Sequence, residues 1–132
     1  MLVKTLKILI VDEYLLYREG LHYVLNELGE NVIILEAADF KHAVQEISVN
    51  PDLDLVLLDL SIQSINGNIA LDTITKQYPT IPIVILSVSD INQDIQYSLD
   101  AGAIGYILKT SSHTEILKGL RHILSGNIYI SH

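Results

Sequence analysis

The chain has 132 residues, with 16 acidic side chains against 8 Lys and Arg and a formal net charge of −8. The length suits one domain, and a hydrophobic content of 49% is enough to build an apolar core. The negative charge argues against nucleic-acid binding by this chain alone, and the lack of cysteine excludes disulfides and thiolate metal sites. No apolar run is long enough to cross a membrane and no signal peptide begins the chain, so we expect a cytoplasmic protein without membrane contact.

Strand-like and helix-like segments alternate five times along the chain. Unbroken apolar runs predict strands that are covered on both faces. The predicted strands are Lys7–Val11, Val32–Leu35, Leu53–Leu58, Ile81–Leu86 and Gly105–Leu108. Between them, apolar residues recur with the 3.6-residue period of amphipathic helices.

Local signals predict where the five helices begin and end. The predicted N-caps are Asp39 for the second helix, Asp90 for the fourth and Thr114 for the last. The predicted stops are Gly29, Asn50-Pro51, Pro79, Gly102 and Ser125-Gly126. The domain is therefore expected to span residues 1–125, and residues 126–132 are expected to begin a linker.

Repeated strand–helix units predict an α/β fold, a doubly wound (βα)5 parallel sheet of five strands with helices on both faces. Such a sheet most often has the flavodoxin-like strand order 2-1-3-4-5. The first and third strands are then neighbours, so Asp12, Glu13 and Asp59 meet at the carboxyl edge. Ser87 and Lys109 follow the fourth and fifth strands and face the same edge.

The residue types at this edge favour phosphoryl chemistry. Crowded carboxylates repel one another, and a divalent cation removes that cost; an all-oxygen ligand set favours Mg²⁺. The backbone carbonyl of Ser61 offers a further ligand. Asp59 is the candidate nucleophile, because carboxylates form aspartyl phosphates. Lys109 and Mg²⁺ would balance the charge of the phosphoryl oxygens, and the Ser87 hydroxyl would donate a hydrogen bond to one of them.

The same stretches resemble the receiver domain of bacterial two-component response regulators. The matching motifs are ILIVDE at 8–13, DLVLLD at 54–59, Asn66-Gly67, IVILS at 83–87 and AGAIGYILK at 101–109. The motifs REGL at 18–21 and GNIYIS at 126–131 resemble the NarL/LuxR-type subfamily, in which a helix-turn-helix DNA-binding domain follows. The resemblance thus implies a receiver whose DNA-binding domain, expected in the parent protein, lies outside these residues.

The resemblance also implies a role for each residue of the site. Asp59 would accept a phosphoryl group from the phosphohistidine of a sensor histidine kinase. Glu13, Asp59 and the Ser61 carbonyl would bind Mg²⁺ directly, and Asp12 would bind it through water. Lys109 would contact the phosphoryl group.

Ser87 and Tyr106 would form a switch pair. When Ser87 moves toward the phosphoryl group, the Tyr106 ring turns inward and reshapes the face built from the fourth helix, the fifth strand and the fifth helix. The implied output is regulation of transcription, with DNA contacted only through the further domain. The amphipathic last helix is a candidate for part of a homodimer face, and the sequence leaves the oligomeric state open. Such a protein catalyses its own phosphorylation and dephosphorylation and is not a conventional turnover enzyme.

Three positions depart from the family pattern, and two other functions stay open. Glu13 stands where Asp is usual, Gln63 where Pro is usual, and Val88 where a small residue is usual. One alternative is a pseudo-receiver that never carries phosphate, although no acidic or Lys position is lost. The other is an aspartyl-phosphate hydrolase of the haloacid dehalogenase type, which usually wants an Asp where Ser61 stands. A P-loop enzyme is disfavoured, because no glycine-rich phosphate loop occurs.

Overall fold

A parallel β-sheet lies between two layers of helices in the computed structural model, which describes residues 5–62 and 65–131. The strands are β1 (Thr5–Val11), β2 (Asn31–Ala37), β3 (Leu55–Asp59), β4 (Ile83–Ser87), β5 (Gly105–Leu108) and β6 (Tyr129–Ile130). The helices are α1 (Leu15–Asn26), α2 (Phe40–Val49), α3 (Gly67–Gln77), α4 (Asn92–Asp100) and α5 (His113–Leu124). None of these described helices is long and apolar enough to span a bilayer.

The strand order is β2-β1-β3-β4-β5-β6, and every neighbouring pair is parallel. The predicted order 2-1-3-4-5 is therefore confirmed, and β6 adds a short strand that the sequence did not predict. The register pairs Val11 with Leu58, Asp59 with Leu86 and Ser87 with Leu108. The carboxyl ends of β1, β3, β4 and β5 consequently lie side by side at one edge.

Alternating strand residues build a separate apolar core on each face of the sheet. Leu9, Val56 and Ile85 pack on one face with residues of α2 and α3. Ile10, Leu57 and Leu86 pack on the other face with residues of α1 and α5. Since all residues of β3 and β4 are buried, these central strands hold the residues at their carboxyl ends in a fixed position.

Helix α4 is the helix most weakly joined to the core. Ser98 is its one buried residue, and Ile95 packs partly against the core. The Tyr97 hydroxyl donates a hydrogen bond of 3.0 Å to Asp72 on α3. A helix held by so few contacts moves at low cost.

The predicted N-cap of α4 is wrong. The helix begins after Ile91, and the Asp90 side chain makes no cap hydrogen bond. Ser89 Oγ instead accepts a hydrogen bond from the Ile91 amide at 3.2 Å and donates one to Asp94 at 2.5 Å. A hydroxyl that satisfies one backbone amide and one carboxylate outcompetes the neighbouring Asp90.

The predicted N-cap of α5 is also wrong, because Thr114 lies inside the helix. Ser112 Oγ accepts from the Glu115 amide at 3.2 Å, and the Glu115 carboxylate accepts from the Ser112 amide at 2.9 Å. This reciprocal capping box satisfies two backbone donors at once and starts the helix earlier.

The other boundary signals had mixed outcomes. Asp39 caps α2 as predicted by accepting from the His42 amide at 2.8 Å, and Gly102 and Gly126 follow α4 and α5 with φ of 110° and 97°. The predicted stop at Gly29 is wrong, because α1 already ends at Asn26. The predicted third and fourth strands start two residues early, whereas β1 and β2 extend beyond their predicted bounds. Gln63, the predicted loop departure, lies outside the described residues, as does His132.

Candidate functional site

Three charged side chains from different strand ends meet at the carboxyl edge of the sheet. Asp12 follows β1, Asp59 ends β3 and Lys109 follows β5. The Lys109 ammonium lies 2.6 Å from Asp12 Oδ2 and 3.1 Å from Asp59 Oδ2. The meeting of these residues, which strand order predicted, is therefore present in the structure.

Burial makes this ion triad energetically demanding. Asp12 and Asp59 are fully buried, and the Lys109 side chain is 11% exposed. Burial alone would lower the pKa of Lys109, but the contacts and negative charges of Asp12 and Asp59 outweigh it and raise that pKa. Apart from these ion pairs with Lys109, neither Oδ2 atom has a hydrogen-bond partner among the described residues. Attraction to the ammonium is thus what offsets their desolvation.

The second oxygen of each aspartate is held by its own loop. Asp12 Oδ1 accepts a hydrogen bond from the Tyr14 amide at 2.8 Å, and Asp59 Oδ1 accepts one from the Ser61 amide at 2.9 Å. These local turns fix both side chains, so the Oδ2 atoms point toward Lys109.

The third carboxylate has a different environment. Glu13 is half-buried, and its Oε1 is buried without a hydrogen-bond partner among the described residues. With the Asp12 and Asp59 carboxylates it offers hard oxygen ligands of the kind that suit Mg²⁺. Within residues 5–62 and 65–131, however, no three acidic or histidine side chains are already arranged around a metal position. The donor chemistry fits Mg²⁺, and Lys109 now holds the two aspartates.

Two tyrosines from the start of α1 cover the ammonium. Lys109 Nζ lies 5.4 Å from the ring centre of Tyr14 and 4.5 Å from that of Tyr17. Burial, followed by the charges of Asp12 and Asp59, raises the pKa of Tyr17 far above its ordinary value. The sequence reasoning missed both residues. Their three-residue spacing directly after the acidic pair was the available signal, because that spacing puts them on one helix face.

Arg18 fixes the loop that carries the acidic pair. Its Nη1 donates to the Asp12 carbonyl at 2.5 Å, and its Nε donates to Glu36 at 2.8 Å. Since Glu36 lies on β2, the guanidinium joins α1 to the ends of two strands. Sequence reasoning noticed Arg18 as part of a motif and did not assign it this role.

Ser87 and Tyr106 are linked through Ser89. Ser87 Oγ accepts a hydrogen bond from the Ser89 amide at 3.1 Å. Tyr106 is fully buried, and its hydroxyl donates to the Ser89 carbonyl at 2.8 Å. The tyrosine ring therefore already points inward. In the described part of the chain, no hydrogen bond joins Ser87 Oγ to Asp59 or to the Lys109 side chain, so Ser87 is near the site without contacting those groups.

A cavity of about 270 Å³ lies next to Leu60 and Ser61, the two residues that follow Asp59. The loops that follow β3 and β4 form its walls, which include Leu60, Ser61, Gly67, Ser87 and Ser89. Its lining is largely polar and includes the Asp94 side chain from α4.

Comparison with known proteins gives one family. The sequence profile described as "Response regulator receiver domain" matches residues 8–121. The glycerol metabolism activator of Pseudomonas putida is 35% identical over 124 residues, which are 94% of this chain and 56% of that protein. The nitrate/nitrite response regulator protein NarP of Escherichia coli is 33% identical over 121 residues, which are 92% of this chain and 56% of that protein. The chain thus spans about half the length of these relatives.

Solved structures give the same fold. A two-component response regulator of the LuxR family from Aurantimonas sp. SI85-9A1 superposes with a TM-score of 0.87 and 26% identity, covering 97% of this chain and 91% of that one. The signal receiver domain of the putative response regulator NarL from Mycobacterium tuberculosis gives a TM-score of 0.81 and 26% identity, covering 94% and 99%.

Proposed function

Because the chain belongs to the response regulator receiver domain family, we propose that it is a phosphorylation-dependent switch in which Asp59 accepts the phosphoryl group. The observation that carries this proposal is the shared ammonium. Lys109 Nζ contacts the buried carboxylates Asp12 and Asp59 at the meeting point of three strand ends. A cation in that position is suited to the charge that gathers on a transferring phosphoryl group.

The transfer needs little beyond alignment and charge neutralisation. Asp59 Oδ2, the oxygen without a backbone hydrogen bond, attacks phosphorus, and the phosphorus–nitrogen bond of a donor phosphohistidine breaks as the imidazole leaves with the electron pair. The Lys109 ammonium then forms an ion pair with a phosphoryl oxygen and gives up its contact with Asp12. Mg²⁺, held directly by Glu13, Asp59 and the Ser61 carbonyl and through water by Asp12, would neutralise the remaining phosphoryl charge when bound.

The response to phosphorylation runs through Ser87 and Tyr106. A phosphoryl group on Asp59 offers the Ser87 hydroxyl an acceptor in place of its present contact with the Ser89 amide. The Tyr106 hydroxyl donates a hydrogen bond to the carbonyl of the same Ser89, so a movement of the loop that follows β4 also displaces the acceptor of the tyrosine. The face formed by α4, β5 and α5 then shifts between two populations.

Partners follow from the family and its members. A response regulator of a two-component system implies a histidine kinase as phosphoryl donor. Since the relatives include nitrate/nitrite response regulators and a transcriptional regulatory protein, we propose a transcriptional output in the cytoplasm. DNA would be contacted by a further domain of the parent protein, and α5 would form part of a homodimer face.

Intact mass spectrometry after incubation with acetyl phosphate and Mg²⁺ tests the proposal. The wild type should gain the mass of one phosphoryl group, and Asp59→Asn should gain none. Asp90→Asn, at an exposed carboxylate outside the ion triad, is the matched control and should behave like the wild type.

Two other outcomes would point to different functions. If the wild type gains no mass and binds no Mg²⁺, the chain is a pseudo-receiver that acts by binding alone. If it turns over many equivalents of a small phosphate ester, it is a hydrolase, despite Ser61 at the position where such enzymes carry a second acid.

A further inference from the structure

Residues 126–131, here called the β6 segment, extend the sheet beyond its five predicted strands. Tyr129 pairs with Gly105 and Ile130 with Tyr106. The Ser131 amide then donates to the Tyr106 carbonyl at 2.8 Å. Ser131 Oγ accepts from the Leu108 amide at 3.1 Å, and Ser131 is 7% exposed. The segment therefore satisfies backbone groups along the outer edge of β5.

A second anchor holds the β6 segment against α5. A Cβ atom on Gly119 would lie 2.6 Å from the Tyr129 ring, so the ring occupies space that only glycine leaves open. The same ring stacks on His122, with centroids 6.1 Å apart and an interplanar angle of 24°. Backbone pairing and a fitted aromatic ring thus fix the segment independently.

These anchors lie next to Tyr106 on β5 and close to Lys109, which follows β5. The Ser131 contacts fall on Tyr106 and Leu108, and Lys109 is the next residue. Tyr106 is meanwhile buried and bound to the Ser89 carbonyl. A strand that holds Tyr106 and Leu108 consequently stabilises the inward arrangement of that tyrosine.

We propose that docking of the β6 segment on β5 is thermodynamically coupled to phosphorylation of Asp59. The coupling rests on the proposed function, whereas the docking stands on the contacts above. The docked segment favours the inward Tyr106 and with it the phosphorylated site. By linkage, a phosphoryl group on Asp59 tightens the docking by the same factor. The chain would then sense the state of the site at the point where it leaves the sheet.

Amide hydrogen exchange of the metal-free protein, measured by NMR, tests the docking. Ser131→Ala removes the acceptor of the Leu108 amide, whose exchange should accelerate roughly five- to tenfold. Gly119→Ala should push out the Tyr129 ring and accelerate exchange at Ser131, although alanine favours the helix itself. Ser48→Ala, at an exposed serine on α2, is the control and should leave these rates unchanged. Unchanged rates in both test variants overturn the docking.

Titration with beryllofluoride and Mg²⁺, a stable mimic of the phosphoryl group, tests the coupling. In the wild type it should slow exchange at Ser131. Ser131→Ala and Gly119→Ala should each weaken the apparent beryllofluoride affinity about fivefold, and Ser48→Ala should not. Variants that loosen the segment but keep wild-type affinity overturn the coupling alone. A wild type that does not bind beryllofluoride overturns the proposed function and the coupling with it. The docking is then tested by the amide hydrogen exchange rates alone.

Discussion

At the scale of single residues, one ammonium compensates two buried carboxylates. Lys109→Gln keeps the polarity of the side chain but leaves Asp12 and Asp59 without a counter-charge. We expect the free energy of unfolding to fall by about 3–5 kcal/mol, the usual cost of breaking a buried ion pair on one side. Urea denaturation measures the loss, and addition of Mg²⁺ should restore part of it.

The control for this prediction is Lys118→Gln, which removes the charge of an exposed lysine on α5. It should change the free energy of unfolding by less than about 0.5 kcal/mol. Equal effects of the two substitutions would contradict the account of the ion triad.

Gly67 and Gly20 make a second residue-scale test. A Cβ on Gly67 would lie 2.1 Å from the Leu60 carbonyl oxygen, so Gly67→Ala must displace backbone beside Asp59. We expect a loss of about 1–3 kcal/mol in the free energy of unfolding. Gly20 lies in α1 with open space around it, and Gly20→Ala should instead gain up to about 1 kcal/mol. Thermal unfolding of both variants checks the opposite signs, and a shared sign would refute the difference in environment.

How far single residues could be predicted depends on what fixes them. Asp12 and Lys109 follow apolar strands and Asp59 ends one, so the predicted strand order was enough to predict that the three side chains meet. Tyr17 was missed, because its place over Lys109 depends on the angle at which α1 packs on the sheet. That angle is set by long-range packing and leaves no local mark in the sequence.

At the scale of elements, the caps of α5 provide the sharpest test. Ser112→Ala removes the side-chain acceptor of the capping box and should cost about 1 kcal/mol of unfolding free energy. Thr114→Ala, at the position that the sequence predicted as the cap, should cost only a few tenths of a kcal/mol. Urea denaturation of the two variants decides between the two starts of the helix, and a larger cost for Thr114→Ala would favour the predicted one.

The same capping box predicts a pH dependence. The hydrogen bond from the Ser112 amide lowers the pKa of Glu115 below its ordinary value of 4.5. A lowered pKa means that the cap stabilises α5 fully above pH 4.5 and loses this effect as the pH falls through the folded value. A carboxyl NMR titration of Glu115 should thus have its midpoint below 4.5, and a midpoint at or above it would mean that the cap is not formed.

Element types were easier to predict than element ends. Long apolar runs and 3.6-residue periods gave all five main strands and all five helices, because burial on a sheet needs those patterns. Strand β6 was missed, since two residues carry no period. The caps Asp90 and Thr114 were wrong, because in each case a serine nearby made two hydrogen bonds where the predicted residue made none at the helix start.

At the scale of the whole molecule, the sheet divides the interior into two cores. Ile74 on α3 belongs to one core and Ile116 on α5 to the other, so the two side chains lie in separate hydrophobic clusters. Ile74→Val and Ile116→Val should each cost about 0.5–1.5 kcal/mol of unfolding free energy. The double variant should lose the sum within about 0.5 kcal/mol, because the sites do not touch. Urea denaturation of the wild type, the two single variants and the double variant measures the coupling free energy between the two sites. A coupling free energy well above about 0.5 kcal/mol would show that the sheet transmits packing strain between the cores.

Helix α4, anchored by little more than Ser98, has a consequence for the history of such a sequence. Most replacements along its outer surface remove no buried contact, so they escape selection against unfolding. Neutral substitutions can then accumulate on this surface while the ion triad of Asp12, Asp59 and Lys109 stays unchanged. Substitutions that change what this helix recognises therefore cost less folding stability than substitutions on the other helices.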